Sequence, residues 1–198
     1  MPTESMDPYV YPGTNVLKNR RDIRDWELLS KFEMDMTTRR ASELLLKKKP
    51  GGKFDIAHLK QIHGYIFQDV YEWAGELRTV NIARPGQYFF AFHHMIVPCL
   101  ENAFATLASE RQLNGLAAEQ FARRAAHYMG ELNAVHPFRD GNGRTQREFI
   151  RQLGTHNGHT IRWSRVTREQ MGEASKRSFQ SGDSSGLATI IQSAIHSQ

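Results

Sequence analysis

Residues 116–153 carry two stretches of helix-period apolar residues separated by one short break, and this arrangement leaves the chain few architectures. In the first stretch, Leu116 to Val135, the side chains of Phe121, Ala125, Met129, Leu132 and Val135 fall on one face. In the second, Phe149, Ile150 and Leu153 cluster on one side at about 100° per residue, whereas Arg144 and Arg151 project from the other. The apolar and the arginine-bearing faces of this second helix are therefore opposite one another. The break is His136-Pro137-Phe138-Arg139-Asp140-Gly141-Asn142-Gly143, and a helix is expected from about Gly143.

Those loop residues, with the helix that follows, have the makings of a phosphate-handling site. Two glycines let the backbone curl so that its N–H groups turn inward, and the positive end of the next helix faces the same cavity. His136 can take a proton near neutral pH, and Asp140 can hold a divalent cation against phosphate oxygens. Arg144 and Arg147 lie about 60° apart on the helix, so both reach the cavity that Asp140 and Asn142 line. Each residue alone has an ordinary explanation. His136 can simply stabilise a helix C-terminus, Asp140 can form an Asx turn, Asn142 can take a left-handed turn, and exposed arginines keep a helix soluble. In combination they suit nucleotide-dependent transfer to a hydroxyl.

The rest of the chain reads as mainly helical. Arg24 to Leu46 has helical apolar spacing and ends at a lysine run, Lys47 to Lys49, before Pro50-Gly51-Gly52. Asp55 caps a helix expected to reach about Trp73, and further helices are expected over Ile96 to Arg111 and in a last amphipathic piece, Leu187 to Ile195, after the break at Ser181. The exception is Thr79-Val80-Asn81-Ile82 and Tyr88 to Phe92, two β-prone runs around Arg84-Pro85-Gly86, which predict a hairpin. The fold class is therefore all-α with one short β-hairpin, and 198 residues favour one domain over 1–198.

Net charge is +5, but the basic residues are scattered without interleaved aromatics, which argues against direct nucleic-acid binding. The polar start and the lack of long apolar runs predict no membrane span and a cytoplasmic protein. The lone Cys99 is expected as a buried core thiol, and the other histidines show no spacing for structural zinc.

Residues 136–147 resemble the Fic family signature, HPFx(D/E)GNGRxxR, at every defined position. Asp7 to Asn19, Phe67 to Leu77 and Tyr128 to Ala134 are similar to the toxin-type (class I) members, so the resemblance covers nearly the whole chain. It implies a compact helical bundle with the motif between two central helices and a flap, about 79–92, beside the active site. It also implies protein adenylyltransfer: AMP from ATP passes to a Ser, Thr or Tyr hydroxyl. By position, His136 is the implied base and Asp140 the implied Mg²⁺ ligand. Asn142 with the backbone of Gly141 and Gly143 forms the implied anion nest, and Arg144 and Arg147 the triphosphate contacts. The related Doc kinases carry Lys in place of Gly143, so Gly143 favours nucleotidyl over γ-phosphoryl transfer. Transfer of UMP or phosphocholine, or a non-catalytic nucleotide-binding module, are the alternatives.

The same resemblance makes Thr79, Val80, Asn81 and Ile82 the docking edge for an extended target segment. Toxin-type relatives point to DNA gyrase or topoisomerase IV ATPase subunits as targets, in bacterial cytoplasm or after export. Self-inhibiting members carry (S/T)xxxE(G/N). The nearest match, Thr106 to Arg111 around Glu110, fails at Arg111, which implies a separate small antitoxin that supplies a Glu to Arg147.

Overall fold

The computed structural model describes residues 7–46, 51–83 and 89–196, which form seven α-helices and one two-stranded ribbon. Helix α1 (Trp26–Leu45) starts where the Asp25 carboxylate accepts the N–H of Leu28, and α2 (Ile56–Phe67) where Asp55 accepts that of His58. Next come α3 (Ile96–Ser109), α4 (Ala118–Val135) and α5 (Asn142–His156). A Thr167–Gln170 capping box opens α6 (Arg168–Ser181), which ends at left-handed Gly182, and α7 (Ser185–Ala194) completes the helices. Strands β1 (Thr160–Ile161) and β2 (Ile195–His196) pair antiparallel and tie the end of α7 to the end of α5.

Helix α4 runs through the centre, in contact with α3, α5, α6 and α7. Its face Phe121, Ala125, Met129, Leu132 and Val135 is buried as the apolar period requires, and so are Phe149, Ile150 and Leu153 of α5. Burying the two faces together brings the end of α4 and the start of α5 to one rim of the bundle. At Gly130 a Cβ would lie 2.6 Å and 2.7 Å from the Ser178 and Ser184 hydroxyls, so a side chain there would have to turn both hydroxyls aside where α4 passes the α6–α7 corner.

Several expectations change. Helix α2 stops at Phe67 rather than near Trp73, because Val70 and Tyr71 turn back to donate to the Phe67 carbonyl. Val70 and Tyr71 are nonetheless fully buried, so the apolar period outlives the helix. Cys99 is half-buried, since it flanks the α3 stripe of Ile96, Leu100, Ala103, Phe104 and Leu107. Among the described residues of the expected hairpin, Ala83 bridges to Phe89, and the Phe90 N–H donates to Ile82. Its turn Arg84-Pro85-Gly86, and the lysine run 47–49, lie outside the described residues. No helix of the described residues is long and apolar enough to cross a membrane.

Candidate active site

The loop begins where α4 runs out. His136 is its C-cap in the left-handed region, φ +48°, with its N–H donating to Leu132 at 2.9 Å. Such a backbone costs a non-glycine residue about 1 kcal/mol or more, so surrounding contacts must impose it. His136 Nδ1 sits 3.2 Å from the Asn133 carbonyl, and a carbonyl only accepts. That places the proton on Nδ1 and the lone pair on Nε2, the form a base needs. The Phe90 ring stacks on the imidazole at 3.8 Å between centroids.

Pro137 and buried Phe138 follow, and Asn142 staples the loop shut. Its Oδ1 accepts the Phe138 N–H at 2.9 Å, and its Nδ2 donates to the Phe138 carbonyl at 2.8 Å. The Asn142 side chain thus closes the loop, which leaves its main chain facing the helix start to serve an anion. Below lies His63, fully buried between the rings of Phe138 (3.9 Å) and Phe67 (4.6 Å). The Gly75 N–H donates to its Nδ1 at 2.8 Å, so Nε2 carries the hydrogen and donates to the Asp140 carbonyl at 3.1 Å. Burial, opposed by the Asp140 carbonyl and reinforced by the Arg144 charge, pushes His63 down to about 3. It is a neutral clamp under the loop.

Gly141 is the N-cap of α5 with φ +77°, and a Cβ there would fall 2.2 Å from the Phe67 ring. Glycine is therefore doubly required, and having no side chain it leaves the first N–H groups of α5 without a side-chain cap. Gly143 is exposed in that first turn, and the atom nearest to a Cβ built on it is Arg147 Nη1 at 3.4 Å. Arg147 thus folds back over the helix start. Its guanidinium is lowered from its usual range by burial first, then by Arg144 and Arg168. Among the described residues no carboxylate pairs with it. An uncapped helix start beside an unmatched guanidinium is a cradle for a polyanion.

Arg144 is better supplied. It donates to Glu33 at 2.6 Å and Thr37 at 3.1 Å, both on α1, lies 3.7 Å from Asp140, and stacks over Phe67 at 4.6 Å. The second Glu33 oxygen takes the Tyr71 hydroxyl. Asp140 accepts the Gly141 N–H and keeps 47% of its side-chain surface open. Its carboxyl is nevertheless raised above the usual range, first by lost solvation and then by the charge of Glu33. A half-open carboxylate beside an anion cradle fits a Mg²⁺ held jointly with phosphate oxygens, the usual way Mg²⁺ is bound.

Beside the loop, the Thr79 N–H is 3.2 Å from the Tyr9 hydroxyl, Val80 offers its carbonyl to Arg78, and the Asn81 side chain accepts the His93 N–H at 2.9 Å. The Ile82 carbonyl faces the opposite arm. Among the described residues the main-chain N–H and C=O of Asn81 have no protein partner, which leaves an open edge at that position. Glu110 lies elsewhere, paired with Arg124 at 2.9 Å. Sequence reasoning missed Glu33, His63 and Arg78. His63 alone carried a signal, a polar residue on the apolar face with Leu59, Ile62 and Ile66.

The Fic/DOC family model matches residues 53–153. The chain is 44% identical to the protein adenylyltransferase VbhT of Bartonella schoenbuchensis over 95% of its own length, but spans only 39% of that longer protein. It is 40% identical to a probable protein adenylyltransferase of Sinorhizobium fredii over 96% of both chains. The crystal structure of the BepC protein of Bartonella tribocorum with bound AMPPNP superposes with a TM-score of 0.88 at 32% identity, covering 96% of this chain and 97% of that one. The chain belongs to the Fic/DOC family.

Proposed function

We propose that this Fic/DOC member is a protein adenylyltransferase that moves AMP from ATP to a Ser, Thr or Tyr hydroxyl of a target protein, releasing pyrophosphate, and that 1–198 acts as one domain. The observation that carries the reading is the cradle at the start of α5: N–H groups of Asn142 and Gly143 without a side-chain cap, with Arg147 folded over them, beside His136, whose Nδ1 faces the Asn133 carbonyl. In this reading the main chain of Gly141, Asn142 and Gly143 binds phosphate oxygens. Arg147 takes the γ end, and Arg144 lies nearer the α- and β-phosphates, oriented by Glu33 and Thr37. Asp140 would hold Mg²⁺, which when bound neutralises phosphate charge. His136 removes the proton from the target hydroxyl as its oxygen bonds to the α-phosphorus, the bond from the α-phosphorus to the oxygen of the β-phosphate breaks, and pyrophosphate leaves.

The open edge at Asn81 supports docking of an extended target segment through its main chain, with Thr79 to Ile82 as the contact strand. Such docking reads little sequence. We place DNA gyrase and topoisomerase IV ATPase subunits first among candidate targets, on the likeness to toxin-type members. Because Glu110 is held by Arg124 and Arg147 has no carboxylate among the described residues, inhibition is assigned to a separate small antitoxin that offers a Glu to Arg147.

The test is incubation of the chain with Mg²⁺ and a bacterial lysate, with ATP labelled in either the α- or the γ-phosphate. Label entering protein from the α position is the expected result. Label from the γ position alone would replace the reading with a kinase. Transfer from UTP or a phosphocholine donor in place of ATP would redirect it to those groups.

A further inference from the structure

Arg78 is 2% exposed, and its charge meets carbonyls where a carboxylate would be usual. Nε donates to His136 at 2.8 Å, Nη1 to Val80 at 2.7 Å, and Nη2 to Ala91 at 2.6 Å and Val135 at 3.1 Å. Its own N–H donates to Pro137 at 2.9 Å. One planar fork therefore joins three pieces of chain: the end of α4 with the histidine, the Thr79–Ile82 arm, and the Phe89–Phe92 arm. The carbonyls of Val135 and His136 belong to the negative end of α4, where a cation is favoured. Burial lowers the guanidinium only to about 10, so it stays charged at neutral pH.

We infer that Arg78 is a positioning residue that makes the flap and His136 one mechanical unit, so that the edge that seats the target and the imidazole that deprotonates it move together. The inference rests on the adenylyltransfer reading for its catalytic meaning, but the coupling is a property of the four carbonyl contacts. Among the described residues, no side-chain contact of Arg78 reaches Asp140 to Arg147. The Asp140–Arg147 side is anchored separately by His63, Asn142 and Glu33. Lysine cannot reproduce the fork, because its ammonium is a point donor that cannot span carbonyls on three segments.

The experiment uses the full chain and its Arg78→Lys and Arg78→Gln variants. Three quantities are read: ATP affinity with Mg²⁺, the initial rate of α-label transfer into lysate protein, and amide hydrogen exchange. Both variants should keep ATP affinity within about 2-fold, because no cradle contact is lost, and lose about 100-fold in transfer, the scale of a misplaced catalytic group. Exchange at the Phe90, Ala91 and His136 amides should rise together. Transfer within about 3-fold of wild type, below what misplacement costs, would overturn the inference, as would faster exchange confined to the flap amides. If Arg78→Gln does not fold, Arg78→Lys decides on the same criteria. Wild-type protein that labels nothing would sink the adenylyltransfer reading instead, while the exchange pattern still tests the coupling.

Discussion

The nucleotide cradle and the flap adjoin each other and are built in opposite ways. The frame of the cradle is fixed: Asn142 closes the loop on itself, His63 clamps it from below, and Phe67 fills the space a Gly141 side chain would need. Among the described residues the flap shows a single bridge, one buried arginine beside it and an open main-chain position at Asn81. The difference matches what each must recognise. A triphosphate has one shape and rewards a rigid array of donors set in advance. A segment of another protein varies in side chain but always offers the same backbone, so an incomplete strand is sufficient.

The sharpest way to break this comparison is at the residue the two regions share. His136→Ala should lower label transfer by about 10²- to 10⁴-fold while ATP affinity stays near wild type, since the cradle is assembled without the imidazole. Equal loss of binding and turnover, read by calorimetry beside the labelling assay, would show that the cradle depends on it. Next comes Gly141→Ala, which should damage the cradle alone. The left-handed backbone and the Phe67 overlap together cost about 1–3 kcal/mol, expected as a lower melting temperature and lost ATP affinity. A variant with unchanged affinity would mean that the loop is looser than its contacts imply.

Acid distinguishes the regions further. With its folded-state pKa far below the unfolded value, His63 gives stability that is complete above about pH 6.5 and drains away as pH falls toward about 3, because the unfolded chain takes up the proton first. The slope from one such group is about 1.4 kcal/mol per pH unit. His58, also lowered by burial, adds to it. His63→Gln should flatten the dependence of the urea midpoint between pH 7.5 and pH 5, and an unaltered slope would remove His63 from the account. The smallest effect belongs to the flap. Asn81→Pro removes one N–H and should weaken target labelling by about 1 kcal/mol more than Asn81→Ala, with ATP affinity untouched in both.

How much of this was legible in the sequence follows from contact range. The loop is twelve adjacent residues, so its glycines, base, carboxylate and arginines declare their geometry locally, and the helices on either side show their period. The anchors do not. His63 meets Asp140 across 77 residues, Arg78 meets His136 across 58, and Glu33 meets Arg144 across 111, and no local pattern pairs them. Helix α6 gave little signal because it buries only Met171, Ala174 and Ser178, a stripe too thin to show as periodicity. The β1–β2 ribbon is too short to alternate, and no β-prone pattern reveals that a buried arginine takes the carbonyls of Val80 and Ala91.

One contact has a practical reach. Arg139 occupies a position that the family signature leaves open, and it is there that Asp7 grips the loop, at 2.7 Å and 2.9 Å. Together with the Tyr9 hydroxyl on Thr79, this lays the first described residues across both halves of the site like a strap. The strap is rooted as well by buried Val16 and by the Tyr9 ring, edge-on to Trp73 at 5.5 Å, so cutting it and giving it back tests all of these contacts together. A chain beginning after Asn19, supplemented with a synthetic peptide of residues 7–19, makes a two-part reporter whose signal depends on reassembly. Exchanging the charges, Asp7→Arg with Arg139→Asp, would give a second pair that ignores the first.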